Sequence, residues 1–217
     1  MNDCKIDAQK LSAAFGALRS RDVLTQKEGV TAAIQMGSGA VPRLLDMLDE
    51  PLENRGPVMY ALAQIGDPQA QQAFAAGVED SDANVRAYAA RGLTRIGDPA
   101  AMAASLRTLN DGADELHLDM TPSVQSLGGM GLKVVPSLLD LLLEEDEMTR
   151  LHAQRALELI LSRRQGFVAG KGFPSSAAEA EMRSEWAANG NYDYSNDTDS
   201  RAASVAKWHL WLAEAKE

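Results

Sequence analysis

Cysteine is almost absent from the 217-residue sequence, since Cys4 is the only one. A single cysteine excludes an internal disulfide framework and is typical of a reducing compartment. Aromatic residues are also scarce, at 5% of the chain, although apolar residues make up 45%. This balance favours closely packed helices over a β-sandwich, which needs Val, Ile, Thr and aromatic side chains. The composition therefore predicts an all-α protein.

Long apolar runs are missing as well. No stretch approaches the roughly 20 consecutive apolar residues that a transmembrane helix requires. The first ten residues, MNDCKIDAQK, contain neither the basic segment nor the apolar segment of a secretory signal. We therefore expect a cytoplasmic protein that does not enter a membrane.

Several sequence signatures of catalysis and metal binding are absent. The chain has neither a Gly-x-Ser-x-Gly motif nor a Gly-x-x-x-x-Gly-Lys-Ser/Thr phosphate loop, and no His-x-x-x-His or paired-cysteine spacing. The acidic stretch DGADELHLD (Asp111–Asp119) includes His117. However, His117 and Asp119 are two residues apart and would point in different directions on a helix. We expect a solvated acidic turn there, with no catalytic residue, no metal site and no cofactor.

Basic residues are outnumbered, and the excess of acidic residues is uneven. The formal net charge is −10 at pH 7. Residues 1–110 carry 11 basic and 13 acidic side chains, so residues 111–217 carry the remaining 10 and 18, a net charge of −8. Negative charge repels phosphate backbones. The charge distribution therefore argues against nucleic acid as the partner.

One pattern recurs with a period of about 31 residues. A shift of that length places Gly97-Asp98-Pro99, in the stretch NVRAYAARGLTRIGDPAA, over Gly66-Asp67-Pro68. A second motif alternates with it, as VPRLLDML (Val41–Leu48) and VPSLLDLL (Val135–Leu142). Two helical motifs alternating at this period predict helix-turn-helix repeats.

The periodicity predicts twelve helices. Pro57 and Pro122 each lie within a predicted second helix of a repeat, where the missing donor would kink the helix or delay its start. The predicted helices cover residues 6–18, 23–36, 39–49, 53–65, 68–79, 82–96, 99–109, 114–127, 132–144, 147–163, 176–188 and 199–215.

The best-defined repeat predicts both its core and its turn. Ala89 and Gly92 are small, as expected where a neighbouring helix approaches closely. Gly97 can adopt the left-handed conformation that ends a helix. Asp98 can then cap the next helix, with Pro99 at its first position. The predicted core stripe consists of Val85, Tyr88, Ala89, Gly92, Leu93 and Ile96.

The pattern VRxxAAxxLxxIGDPxA at residues 85–101 resembles the HEAT repeat, specifically the short bacterial form also found in phycobilin lyase subunits. The stretches AVPRLLDMLDE (Ala40–Glu50) and VVPSLLDLLLEED (Val134–Asp146) resemble first helices of such units. The resemblance covers about residues 22–163 and is weakest at residues 111–130. It implies a right-handed α-α superhelix, a HEAT-like solenoid of about five helix pairs.

The resemblance also implies structural arginines. In the family, the Arg near the start of the second helix joins a ladder of Asp–Arg contacts between units. Arg55, Arg86 and Arg150 match that position, whereas His117 replaces it in the weakest repeat. We expect Arg86 to contact an acidic residue, namely Asp80, Asp82 or Glu53.

Residues 164–217 depart from the repeat and carry all three tryptophans. Open solenoids need a terminal cap, because the last repeat otherwise exposes its apolar face. We therefore predict a C-terminal helical cap formed by residues 164–217, in one continuous domain with the repeats of residues 1–163. Trp186, Trp208 and Trp211 would cover the last repeat, and an aromatic pocket for a flat ligand is the alternative.

Second helices line the concave face of HEAT solenoids, so the resemblance implies a binding surface there. The basic residues of this surface could bind an acidic peptide or a phosphate-bearing ligand, or pair with acidic residues of neighbouring helices. His152, by contrast, falls on a core position and is expected to be a buried, hydrogen-bonded imidazole. The predicted surface residues are Met59, Tyr60, Arg91, Arg95, His117, Gln125 and Arg155.

These features favour a non-enzymatic scaffold that binds a protein or acidic peptide on the concave face of a helical solenoid. The alternative is an enzyme or enzyme subunit resembling the phycobilin lyases, which would handle a tetrapyrrole or another anionic ligand. A DNA-repair solenoid resembling the alkylpurine glycosylases needs a broadly basic concave face, which the charge count opposes.

Overall fold

A computed structural model of the chain describes residues 8–112 and 120–215. No strand occurs in these ranges, and Val168 and Gly172 form an isolated bridge. The prediction of an all-helical fold is therefore confirmed. The α-helices in the described ranges are α1 (Ala8–Leu18), α2 (Val23–Met36), α3 (Val41–Leu48), α4 (Gly56–Ile65), α5 (Gln71–Gly77), α6 (Ala83–Arg95), α7 (Ala101–Arg107), α8 (Pro122–Gly128), α9 (Val135–Leu141), α10 (Glu147–Arg164), α11 (Ser176–Ala188) and α12 (Thr198–Glu214).

Several helices begin later than predicted, and in α4 and α8 a proline marks the new start. α4 begins at Gly56 and α8 at Pro122, instead of at residues 53 and 114. Pro57 and Pro122 both lie in the first turn of their helix. A backbone N–H there would have no partner within the helix, so its absence costs little. His117 and the rest of residues 113–119 lie outside the described residues.

The chain forms two compact units, Met1–Ala104 and Ser105–Glu217. In the first unit, α1 packs on α2, α3 on α4 and α5 on α6, while α2, α4 and α6 pack side by side. In the second unit, α10 packs on α8, α9 and α11, and α12 packs on α9. The boundary between repeats and cap at residue 163 stays a prediction.

Helices within each unit approach so closely that some contact positions require glycine. Phe74 of α5 is completely buried. A Cβ atom on Gly92 of α6 would lie 2.4 Å from its ring. A Cβ atom on Gly128 of α8 would likewise lie 2.4 Å from Leu159 of α10. These distances are far inside van der Waals contact, so the predicted close approach at Gly92 is confirmed.

The turns after α4 and α6 have the same backbone conformation at glycine and the same aspartate hydrogen bond. Gly66 and Gly97 have φ values of 67° and 71°, the left-handed conformation that ends a helix at little cost. The Asp67 carboxylate then accepts from the N–H of Gln69 at 2.9 Å, and the Asp98 carboxylate from the N–H of Ala100 at 2.8 Å. The prediction for Gly97 is confirmed. Pro99, however, lies in a turn before α7, which begins at Ala101, so its predicted helical position is wrong.

Trp208 lies at the centre of an aromatic cluster in the second unit. It is completely buried, and its ring centroid lies 5.3 Å from that of Trp186 and 5.1 Å from that of Trp211. The indole N–H of Trp211 donates to Glu185 at 2.8 Å. Burial of Trp208 agrees with a core position better than with an open pocket for a flat ligand. The capping role of the three tryptophans stays a prediction.

The loop between α11 and α12 is fixed to α9 and α10 by polar contacts. Arg150 Nε donates to the carbonyl of Tyr194, and the N–H of Tyr194 donates to Gln154 Oε1, each at 2.9 Å. The hydroxyl of Tyr192 donates to the carbonyl of Leu142 at 2.7 Å. Tyr192 is buried, and burial raises the pKa of its phenol from 10.0 to about 12.

Trp208→Ala should lower the free energy of unfolding by about 3–5 kcal/mol, because truncating a buried Trp leaves a large cavity. In repeat proteins each unit depends mainly on its neighbours. Amide exchange should therefore rise mostly beyond residue 130, leaving residues 50–100 protected. Urea unfolding and hydrogen exchange measure both effects. The control Leu210→Ala, at a side chain 69% exposed on the same helix, should change neither. Wild-type unfolding and exchange in Trp208→Ala would refute a supporting role.

The raised pKa of Tyr192 predicts a loss of stability at alkaline pH. The neutral phenol is favoured in the folded chain, so its contribution is fully present below pH 10 and is lost as the pH rises towards about 12. Urea unfolding at pH 9, 10 and 11 should therefore show decreasing stability. Tyr192→Phe should have a lower free energy of unfolding than the wild type at pH 9, but it should lose less of it between pH 9 and pH 11. An equal loss in the wild type and in Tyr192→Phe would contradict the raised pKa of Tyr192.

Candidate functional site

In the first unit, α4 and α6 bring a set of partly exposed polar and aromatic side chains together. The rings of Tyr60 and Tyr88 meet edge to face, with centroids 4.9 Å apart. One turn further along, Arg95 donates to Gln64 Oε1 at 2.9 Å. We call the surface formed by Tyr60, Gln64, Tyr88 and Arg95 the α4–α6 face. Both tyrosines are half-buried, and Arg95 is exposed.

Arg91 and Met59 are buried, although the sequence predicted that both would lie on the surface. Arg91 is only 8% exposed, and its guanidinium carbon lies 5.9 Å from the ring centroid of Tyr88. The aromatic face replaces part of the solvation that this cation loses. Met59 is 2% exposed, and its Cε would lie 2.7 Å from a Cβ atom on Gly77. Met59 is therefore buried because it fills the space that glycine leaves on α5.

The remaining predicted surface residues lie in the second unit or outside the described residues. Gln125 is half-buried, and its amide donates to the carbonyl of Met120 at 3.3 Å. Arg155 is half-buried and forms an ion pair with Glu158 at 2.8 Å. His117 lies outside the described residues. Arg155 thus pairs with an acidic residue of its own helix, α10, whereas the alternative expected pairing with neighbouring helices.

Sequence reasoning missed two members of the α4–α6 face. Gln64 was not selected, although it lies four residues after Tyr60 and so shares its side of the helix. Tyr88 was predicted to be core, yet it is only half-buried. Its spacing of three and seven residues from Arg91 and Arg95 is the signal that places it beside them.

Two of the three ladder arginines, Arg86 and Arg150, hold the turns that precede their helices. Arg86 donates to the carbonyls of Asp80 and Ser81 at 2.9 and 3.0 Å. Arg150 does the same with the carbonyls of Glu144 and Glu145, at 2.9 and 2.6 Å.

The Asp80 carboxylate instead pairs with Arg55 at 2.8 Å. The predicted contact between Arg86 and Asp80 therefore occurs through the main chain of Asp80. A ladder running between repeats stays a prediction.

His152 is a structural residue of the second unit. It is 5% exposed, and its Nδ1 lies 2.7 Å from Asn110 Oδ1. The Asn110 amide donates to Thr149 at 2.8 Å, so its oxygen is the atom that accepts from the imidazole. The prediction of a buried, hydrogen-bonded imidazole is confirmed. Within residues 8–112 and 120–215, no cluster of three or more His, Cys, Asp or Glu side chains could hold a metal ion.

The paired helices define a helical-repeat protein, and the comparisons specify the repeat. Residues 41–117 match the family model of HEAT repeats, a range that contains α3 to α7 and so both helices of the α4–α6 face. Residues 41–117 are therefore similar to HEAT repeats, which generally mediate protein–protein interaction. In the described residues, no helix is long and apolar enough to cross a membrane.

Comparison with whole proteins adds a structural likeness. Nine solved chains match. One is the crystal structure of an engineered protein studied by the Northeast Structural Genomics Consortium, with 18% sequence identity, coverage of 95% of this chain and 97% of that chain, and a TM-score of 0.42. No curated protein matches the chain.

Arg86→Ala should lower the free energy of unfolding by about 1.5–3 kcal/mol, the usual worth of hydrogen bonds from a charged donor. The cause is the loss of two donors to the carbonyls of the turn before α6. The control Arg43→Ala removes surface ion pairs with Glu50 and Asp46, which should contribute less than about 1 kcal/mol. Urea unfolding measures both variants. An unchanged midpoint in Arg86→Ala would show that the turn does not depend on this arginine.

Proposed function

We propose that the chain is a non-enzymatic protein-interaction protein that binds its partner on the α4–α6 face. The match to HEAT repeats supports a protein partner in general, and the composition of the face supports this particular surface. The single cysteine supports a cytoplasmic location.

The observation that carries the proposal is the ordered set of Tyr60, Tyr88 and Arg95. Tyr and Arg are the residue types enriched at energetic hot spots of protein interfaces. Here they are ordered before any partner arrives, because Tyr60 and Tyr88 hold each other and Gln64 holds Arg95. Ordering in advance lowers the entropic cost of binding.

The charge of the face suggests which partner it accepts. Arg95 is exposed at the end of α6 and presents a planar guanidinium, which can bind a carboxylate through two parallel hydrogen bonds. An acidic peptide segment of the partner would therefore place a carboxylate on Arg95 and an apolar or aromatic side chain on the tyrosine pair.

The contacts of the other arginines favour this partner over a tetrapyrrole. A tetrapyrrole would need cations for its propionates, yet Arg91 is 8% exposed and Arg155 is paired with Glu158 at 2.8 Å. A peptide needs only the single exposed cation that Arg95 supplies.

Arg95→Ala should abolish recovery of the partner from an extract of the native host, or weaken its binding by about tenfold, since a buried charge-assisted contact at a hot spot is worth at least 1.4 kcal/mol. The matched control is Arg183→Ala, an exposed arginine of α11 that pairs with Glu179. Tagged proteins with equal melting temperatures are compared by affinity capture and mass spectrometry.

A protein recovered by the wild type and Arg183→Ala but not by Arg95→Ala supports the proposal. Identical recovery by all three contradicts the assignment to this face. A spectral shift of added bilin that requires Arg95 would favour the lyase-like alternative instead.

A further inference from the structure

Two stretches of the second unit contain no acidic residue, although residues 111–217 carry 10 basic and 18 acidic side chains. Residues 120–139 and 159–178 include neither Asp nor Glu. Their charged residues are Lys133, Arg163, Arg164 and Lys171, and all four are exposed. Four positive charges are therefore separated along the chain from the acids of this unit.

The fold brings these two stretches into contact at the end of α10, which packs on α8 and α9. A Cβ atom on Gly129 would lie 2.8 Å from Arg163 Nη1, so the guanidinium lies directly on the backbone that follows α8. Gly131 has a φ value of 68° and turns the chain towards Lys133. A Cβ atom on Gly131 would meet no described atom within 4 Å, so the space beside this turn is open. We call Arg163, Lys133 and the turn at residues 129–131 the basic turn site.

The cations of the basic turn site have no acidic partner. Within the described ranges, the side chains of Arg163 and Lys133 form neither a hydrogen bond nor an ion pair. Partial burial lowers the pKa of the Arg163 guanidinium below its usual value, whereas a neighbouring carboxylate would raise it. The guanidinium carbon of Arg164 lies 5.3 Å from the ring centroid of Trp211. This contact replaces lost solvation but supplies no full negative charge.

The helix dipole accounts for only part of this arrangement. Arg163 and Arg164 lie in the last turn of α10, where the negative end of the helix favours cations. That end is equivalent to about half of an elementary charge, whereas two guanidinium groups carry two. Arg86 and Arg150 show how an arginine of this chain binds turn carbonyls, and Arg163 forms no such bond. A positive charge therefore remains, and a bound anion would neutralise it.

An ordered hairpin follows the two arginines. The N–H of Phe167 donates to the carbonyl of Ser162 at 3.0 Å, which folds the chain back on the last turn of α10. Val168 and Gly172 then exchange two main-chain hydrogen bonds, of 3.0 and 2.9 Å. The side chain of Val168 is 50% exposed. The surface therefore offers an apolar contact close to its positive charges.

The charge of the whole chain selects a small anion over a large anionic surface. The net charge of −10 repels membranes and nucleic acids. A single group that comes within about 8 Å, the screening length at physiological salt, is governed by the local cations. A phosphate monoester has nearly two negative charges and three acceptor oxygens, so it can bind a guanidinium and an ammonium group together. A carboxylate has one charge and two oxygens.

We propose that the basic turn site binds a phosphoserine or phosphothreonine residue of a partner protein. The phosphate lies between Arg163 and Lys133, in the open space beside the turn at residues 129–131. An apolar residue next to the phosphorylated one lies on Val168. The site belongs to the second unit, and the proposal does not depend on the α4–α6 face.

Peptide arrays and three matched variants test this assignment. Degenerate nonapeptides with a central phosphoserine, serine or glutamate are probed with the whole chain, and the best phosphoserine peptides are titrated in solution. Arg163→Gln and Lys133→Gln each remove one charge from the site. The control Lys27→Gln makes the same change at an exposed lysine of α2, in the first unit. All three should melt like the wild type, because the side chains of Arg163 and Lys133 have no partner to lose.

Phosphoserine peptides should bind at least about tenfold more tightly than their serine and glutamate counterparts, since hydrogen bonds between two charged groups are strong. Arg163→Gln should weaken their binding at least about tenfold and Lys133→Gln about fivefold. Lys27→Gln should bind like the wild type. In nitrogen-15 NMR spectra, the bound peptide should shift the amide signals of Gly129, Gly131 and Lys133 and leave those of α2 unchanged.

Equal binding of the phosphoserine, serine and glutamate peptides would overturn the proposal. Equal affinity of the wild type, Arg163→Gln and Lys133→Gln would do so as well, and Lys133→Gln decides the matter if Arg163→Gln melts early. Amide shifts that leave residues 129–133 unchanged would place the peptide elsewhere. Flotation with vesicles of phosphatidylcholine and phosphatidylserine that requires Arg163, without binding of phosphopeptides, would assign the cations to a membrane surface instead.

Discussion

The separation of neighbouring helices is the constraint on which the structure depends. Phe74 can lie against α6 only because Gly92 has no side chain, and Leu159 can lie against α8 only because Gly128 has none. Such contacts fix the rotation of a helix as well as its distance. On α6, Gly92 contacts Phe74 of α5, whereas Tyr88, one turn earlier, contacts Tyr60 of α4. The close contact at Gly92 therefore lies one turn from the tyrosine pair of the α4–α6 face.

The turns depend on a second interaction, between arginine and main-chain oxygen. Arg86 and Arg150 bind the two carbonyls at the end of the preceding turn in the same way, although they belong to different units. These carbonyls have no partner within a helix, and a cation there satisfies them. The same turns carry acidic side chains, among them Glu79 and Asp80 before α6 and Glu144 and Asp146 before α10. A fixed backbone thus holds negative charges at defined positions, where they would otherwise repel one another and spread apart.

The sequence predicted the elements of the fold better than its surface. Periodicity identified the helices, and Gly97 identified a turn, because both signals are local. The predicted exposure of Met59 and Arg91 is wrong for two different reasons. Met59 is buried because a different helix, α5, carries Gly77 at the contact. Arg91 is buried beside Tyr88 of its own helix, a neighbour that the spacing of three residues does indicate.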